Sequence, residues 1–308
     1  MRNIICIILI FAMFLFLGTK VEDSYMNDVE KLHKEILYPT VRVIAKDSGG
    51  SGTVIYSKKD ESGKIRTFIL TNHHVIEDLI TIKKQWNSLY KKEIKTEVTS
   101  LARVDIFKYN NYSSCVGSFQ IEAEIKAYSH SSDGYDVALL ELKDTESVIG
   151  NIANLYPKDK IDDIHIFDEV WACGAALLHP PIATRGIISF MDDIIDNHVY
   201  WMSTANIIYG NSGGAVYRFS SDRNKYEYIG IPARISISGW KDAVTHMGYF
   251  VPITNIYKIL DENCYQFIYD SNYTYEQCEK MRKEKRDKEN KRMMFMEDEK
   301  SDVSGGDN

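Results

Sequence analysis

The residues best suited to chemistry are Gly210-Asn211-Ser212-Gly213-Gly214, between the apolar runs Ile207-Ile208-Tyr209 and Ala215-Val216-Tyr217. Glycines let a backbone turn sharply and approach another group closely. A serine on such a turn can project its hydroxyl while neighbouring N–H groups converge on one point, as a nucleophile for acyl transfer requires. The same five residues also fit a glycine-rich hairpin with an ordinary serine. The distinction rests on whether the chain supplies a base and an acid that orients it.

The base is expected to be a histidine. Of the 8 in the chain, His73 and His74 stand at the end of the apolar segment Phe68-Ile69-Leu70-Thr71, and the others are mostly single residues in polar surroundings. His74, followed by Val75-Ile76, is the leading candidate and His73 the alternative; adjacent side chains of an extended chain point opposite ways, so one of the pair faces Ser212. The acid is Asp136, at the head of Val137-Ala138-Leu139-Leu140, where a carboxylate is costly to bury without a partner. Its competitor Asp133 reads as a solvated turn residue in Ser131-Ser132-Asp133-Gly134. The order is His, Asp, Ser. An α/β-hydrolase esterase also satisfies Gly-x-Ser-x-Gly, but it needs its histidine after the serine, which leaves only His246.

The elements that must position these groups read as strands. Val41, Val43 and Ala45 alternate with Arg42 and Lys46. Further short apolar segments recur at Thr53–Tyr56, Arg66–Thr71, Val98–Phe107, Phe119–Tyr128, Asp136–Leu142, Val170–Gly174, Gly186–Phe190, Val199–Thr204, Tyr228–Ile231 and Gly248–Pro252. Many short strands between turn residues predict an all-β barrel or sandwich. Residues 77–95 are charged and read as a helix with an irregular insertion, 143–163 as a join between two halves, and Ile253–Leu260 as a helix. After Cys278 the dense Lys/Arg/Glu/Asp run reads as a solvated helix or disordered tail.

The 308 residues, 44% hydrophobic and 26% charged, suffice for a large core. A net charge of -7 with no basic patch in the body excludes nucleic acid as the main partner. Arg2 and the apolar run Ile4–Leu17 predict a signal peptide or an uncleaved membrane anchor over residues 1–19, and hence an exported protein with membrane association through this segment. Cys264 and Cys278, close in sequence, are expected to form a disulfide. No Cys/His spacing marks a metal site, and no cofactor is expected.

Together these residues resemble a trypsin-like (chymotrypsin-fold) serine peptidase, most of all the HtrA/Deg branch without its PDZ domain. The resemblance is carried by Gly50-Ser51-Gly52-Thr53-Val54-Ile55, Leu70-Thr71-Asn72-His73-His74-Val75, Asp136-Val137-Ala138-Leu139-Leu140 and Gly210-Asn211-Ser212-Gly213-Gly214-Ala215, with weaker echoes in Thr184–Ser189 and Gly248–Ile253. It implies two six-stranded antiparallel β-barrels, roughly 38–145 and 165–255, within a protease domain over 38–260, followed by a C-terminal charged segment over 261–308. The active site would lie in the cleft between the barrels. It further implies His74 as base, Asp136 as orienting acid, Ser212 as nucleophile, the Gly210 and Ser212 amides as oxyanion hole, and a protein or peptide substrate. By the same analogy the pocket for the residue before the scissile bond would involve Asn206, Ile231, Ala233 and Gly248. The competing functions are a catalytically silent binding protein on this fold and the esterase.

Overall fold

The computed structural model describes residues 26–87, 92–112, 114–130, 132, 134–143, 145–239 and 242–288. The expected leader at 1–19 and the end of the charged tail lie outside the described residues.

The first half is a closed barrel in the order β1-β2-β3-β8-β7-β6. Its strands are β1 (Thr40–Ile44), β2 (Gly49–Lys59), β3 (Ile65–Thr71), β6 (Ala102–Asn110), β7 (Ser114–Ser129) and β8 (Val137–Leu142). Between β3 and β6 project β4 (Ile80–Asn87) and β5 (Lys92–Thr99), which pair only with each other. The second half contains β9 (Asn154–Leu155), β10 (Glu169–Gly174), β11 (Ile182–Ile195), β12 (His198–Ser203), β13 (Ala215–Ser220), β14 (Lys225–Ser238) and β15 (Asp242–Pro252). These run β13-β10-β11-β12-β15-β14-β9, and an additional β13–β14 pairing closes six of them into a ring. The all-β, two-barrel architecture expected from the sequence is therefore present.

Side-chain alternation explains how the halves join. In β8, Ala138, Leu140 and Leu142 fill the interior of the first barrel. Val137 and Leu139 point the other way, into a core shared with the second half and the C-terminal segment. β3 does the same, with Ile69 turned inward and Phe68 and Leu70 outward. A strand with both faces buried reads as a continuous apolar run, as Val137–Leu140 does.

Two regions differ from the sequence reading. Among the described residues of 77–95, a single 3-10 turn (Glu77–Leu79) is followed by β4 and the start of β5, paired antiparallel, rather than by a helix. Ile80 and Thr81, facing Thr99 and Val98, supply β-branched residues that the neighbouring lysines mask. The segment after the helix Ile253–Glu262 is folded core as well as charged surface. Tyr265, Phe267 and Cys278 are buried, and a helix over 275–288 follows, its first turn capped by Gln277 N–H donating to Thr274 Oγ1. The expected disulfide is not formed. Cys264 and Cys278 are both free thiols, with Cys264 in a left-handed turn (φ 58°) and the Cys278 thiol donating to Gln266 Oε1 at 3.8 Å.

Phe267 stacks edge-on against Tyr56 (5.1 Å), Phe68 (5.5 Å) and Tyr275 (5.3 Å), tying the C-terminal segment to the first barrel. Phe267→Ala should cost about 3–5 kcal/mol, read by calorimetry as a fall in Tm of order 10 °C. A fall of only a degree or two would mean that this segment packs loosely.

Candidate active site

His74 lies in the one-turn helix His73–Ile76, directly after β3. Its backbone N–H donates to Asp136 Oδ1 at 3.0 Å, and its ring Nδ1 lies 2.8 Å from Asp136 Oδ2. A carboxylate only accepts, so the proton sits on Nδ1 and Nε2 is left with its lone pair free for a substrate or nucleophile. The Asp136 side chain is 3% exposed and the His74 ring 33%. Asp136 holds a left-handed backbone (φ 55°), a strained conformation that asparagine and aspartate tolerate better than most residues. It is kept there from both sides: its N–H donates to His130 O at 3.1 Å, and Asn72 Nδ2 donates to its carbonyl at 2.7 Å.

Ser212 comes from the second barrel, in the loop leading to β13. The loop is closed by its own chain: Asn211 N–H donates to Ile208 O (3.0 Å), Gly214 N–H to Asn211 O (3.0 Å), and Ile208 N–H to Asn211 Oδ1 (2.9 Å). Gly213 N–H reaches across to Pro232 O on β14 at 3.1 Å. Among the described hydrogen bonds, the amides of Gly210 and Ser212 have no protein acceptor, whereas those of Asn211, Gly213 and Gly214 all do. The Tyr209 carbonyl accepts from Leu177 N–H at 2.8 Å. Carbonyl and N–H of one trans peptide point opposite ways, so this bond turns the Gly210 N–H away from Leu177. Gly210 has φ 93°, and a Cβ there would meet Leu177 N at 2.6 Å, so both the angle and the space require glycine.

Ser51 of β2 reaches from the first barrel into this loop. Its N–H donates to Ser212 O (2.7 Å), its hydroxyl donates to Gly210 O (2.6 Å) and accepts from Ala175 N–H (2.7 Å), and its carbonyl accepts from Thr71 Oγ1 (2.7 Å). In the sequence Ser51 and Asn72 count only as members of the motifs that carry the resemblance, with no role of their own. The available signal was a polar residue enclosed by glycines at a strand head, and an Asn wedged between an apolar strand and the candidate base.

His74 and Ser212 line one cleft of about 440 Å³, with Ile207, Pro232, Ala233 and Ile235. No hydrogen bond joins Ser212 Oγ to the His74 ring among the described residues; such contacts tighten when substrate binds. Of the four expected pocket residues, Ala233 lines the cleft. Ile231 does not, because it is fully buried in the core, and Asn206 is exposed, its carbonyl accepting from Thr184 Oγ1. Gly248 lies behind Ile207, whose Cγ1 would be 2.3 Å from a Cβ at that position. Counting six residues back from Ser212 overshoots by one: Ile207 carries the side chain in the cleft. His73, the alternative base, points away, with its ring 4.5 Å from His130 and 5.1 Å from Tyr128. His246 is exposed on β15. Asp133 lies outside the described residues. Among the described residues no group of His, Cys, Asp or Glu side chains could hold a metal ion.

Two β-barrels with a His–Asp pair from the first and a glycine-bounded serine from the second define a serine-protease fold. The chain belongs to the trypsin-like peptidase domain family, whose model matches residues 50–223. Among solved structures it is similar to the serine endoprotease from Yersinia pestis, at 20% identity over 76% of this chain and 65% of that one, with a TM-score of 0.50. It is also similar to an AlgW HtrA-type protease variant with tripeptide, at 16% identity over 76% of this chain and 62% of that one, with a TM-score of 0.51. The chain thus spans a little under two thirds of the length of each. A search of curated protein sequences gave no match.

Behind the site, burial lowers the His73 pKa below its ordinary 6.5, and the neighbouring His130 adds to this while Asp136 and Glu77 oppose it. Above pH 6.5 the ring is neutral both folded and unfolded. Below it the unfolded chain takes up a proton that the folded chain refuses, so stability falls until the lowered folded value is passed. Thermal unfolding between about pH 7 and about pH 5 should show a shallower loss of Tm for His73→Asn than for the wild type. Equal slopes would show that His73 does not titrate across folding.

Proposed function

We propose that this chain is a serine endopeptidase acting through His74, Asp136 and Ser212. Nε2 of His74 takes the proton of Ser212 Oγ as that oxygen attacks the scissile carbonyl. Asp136 holds the ring in the needed tautomer and stabilises the imidazolium. The carbonyl oxygen, now negative, is held by the amides of Gly210 and Ser212. The tetrahedral species collapses as His74 returns its proton to the leaving amine, and an ester to Ser212 remains. Water, activated by His74, hydrolyses that ester and frees the enzyme.

The observation that carries this reading is the two-point grip of Asp136 on His74, by ring and by backbone, facing a serine loop with two amides lacking protein acceptors. A binding protein on this fold needs neither feature. The esterase reading requires alternating helices and strands, and the two-barrel fold removes it.

Ile207 in front of Gly248, with Ala233 and Ile235 beside it, makes an apolar and shallow pocket. We take the residue before the scissile bond to be small or aliphatic, since no acid lies there to select lysine or arginine. The apolar run Ile4–Leu17 in the sequence supports an exported location, where the enzyme would act on polypeptides.

Peptide-library cleavage followed by mass spectrometry tests this. Ser212→Ala should abolish cleavage, Asp136→Asn should lower kcat roughly 10⁴-fold, and Gly210→Ala should lower it roughly 10²–10³-fold by displacing one oxyanion donor. Cleavage by Ser212→Ala at the wild-type rate would refute the reading.

A further inference from the structure

Leu177 and Leu178 follow β10 in the short turn Ala176–Leu178, and both hold left-handed backbones, with φ of 50° and 61°. Two consecutive leucines in this region are strained, where glycine or asparagine would be at ease. The turn is nonetheless well tied down. Leu178 N–H donates to Ala175 O (3.0 Å), His179 N–H to Ala176 O (2.9 Å), and Arg42 Nη1 donates to the Leu178 carbonyl. The strain does not serve burial: Leu177 is 59% exposed and Leu178 50%. A strained backbone that presents large apolar side chains to solvent is the kind of outlier from which function is inferred.

The position of this pair relates it to the cleft. Leu177 N–H holds the Tyr209 carbonyl, and Tyr209, itself largely exposed, also lines the cleft beside Ser212. Leu178 lies against the first barrel, its Cδ2 3.1 Å from where a Cβ of Gly49 would stand. The exposed Ile182 follows two prolines further on. An apolar surface thus continues from the active-site cleft past Tyr209 to Leu177 and Leu178. The proposed function seats the acyl half of the substrate against Pro232–Ile235, which leaves the side of Tyr209 and its partner Leu177 for the peptide beyond the scissile bond.

We propose that Leu177 and Leu178, with Tyr209, form a subsite for a bulky apolar side chain of the substrate just after the scissile bond. The proposal rests on the serine-peptidase reading and deepens it. It makes the enzyme selective on both sides of the cut, favouring apolar segments that folded proteins keep buried.

Acyl transfer separates the two halves of the substrate. A peptide ester with an aliphatic acyl residue forms the Ser212 ester and releases its alcohol. An added amino-acid amide then competes with water: its amine attacks the ester carbonyl, the bond to Ser212 Oγ breaks, and the amine proton passes through His74 to Oγ. The ratio of amide product to hydrolysis, measured for leucinamide, leucyl-leucinamide and glycinamide, reports only the leaving-group side. A change in overall rate cancels in it. The wild type should prefer the leucyl nucleophiles over glycinamide by at least about tenfold. Leu177→Asn and Leu178→Asn should bring that preference to within about threefold, because asparagine accepts the left-handed backbone and removes only the apolar surface. No preference in the wild type, or one that survives both substitutions, would overturn the proposal while leaving the peptidase reading intact. A dimer of the wild type that either variant dissociates in light scattering, with selectivity unchanged, would assign the leucines to a second copy instead. No ester turnover at all would refute the peptidase reading and this subsite with it.

Discussion

The site depends on Ser51. Its side chain and backbone connect the serine loop of the second barrel, the turn before Leu177, and Thr71, three residues from His74. It is 0% exposed, and losing its hydroxyl would remove the partner of the Gly210 carbonyl and of the Ala175 N–H. A buried donor or acceptor left unsatisfied costs about 1–3 kcal/mol, which makes the relative position of the two barrels well defined at this point. Gly213 sits in the same contact: a Cβ there would stand 2.1 Å from the Ser51 carbonyl. The Ser212 loop and the His74 turn are therefore set by one shared contact, although they come from opposite halves of the chain.

Around that contact the backbone repeatedly takes conformations that its sequence does not favour. Asp136, Leu177 and Leu178 all have positive φ, and each is bonded to or next to residues that line the cleft or their loop. Each is offset by hydrogen bonds from neighbouring elements. Asn72 and His130 hold Asp136, while Arg42 and Tyr209 hold the leucine turn. Strain of this kind persists where the surroundings over-determine it. Here it aims the carboxylate at the ring of His74 and turns the Gly210 amide away from its neighbours.

Much of this was legible in the sequence. Of the residues singled out, His74 and Ser212 line one cleft and Asp136 is bonded to His74, and the alternation in Val41–Ala45 and the run Val137–Leu140 predicted their strands. Other parts were hidden for physical reasons. The β4–β5 hairpin has little buried surface, so its lysines obscure the period that a core would impose. Asn206 looked like a pocket floor because counting along a chain ignores which side chains turn inward, and Ile207 does so. The packing of Tyr265 and Phe267 against the first barrel is a long-range contact with no local signature. Ser51 stood out only as a polar residue among glycines, because its partners lie in the other barrel.

The central claim is that Ser212 is a nucleophile activated by His74. Intact-mass analysis after treatment with a fluorophosphonate, followed by mapping of the labelled peptide, tests it most directly. One adduct per chain, located on Ser212, is the expected result, and it should be lost in His74→Ala. An unlabelled wild type that is properly folded, or an adduct located elsewhere, would contradict it.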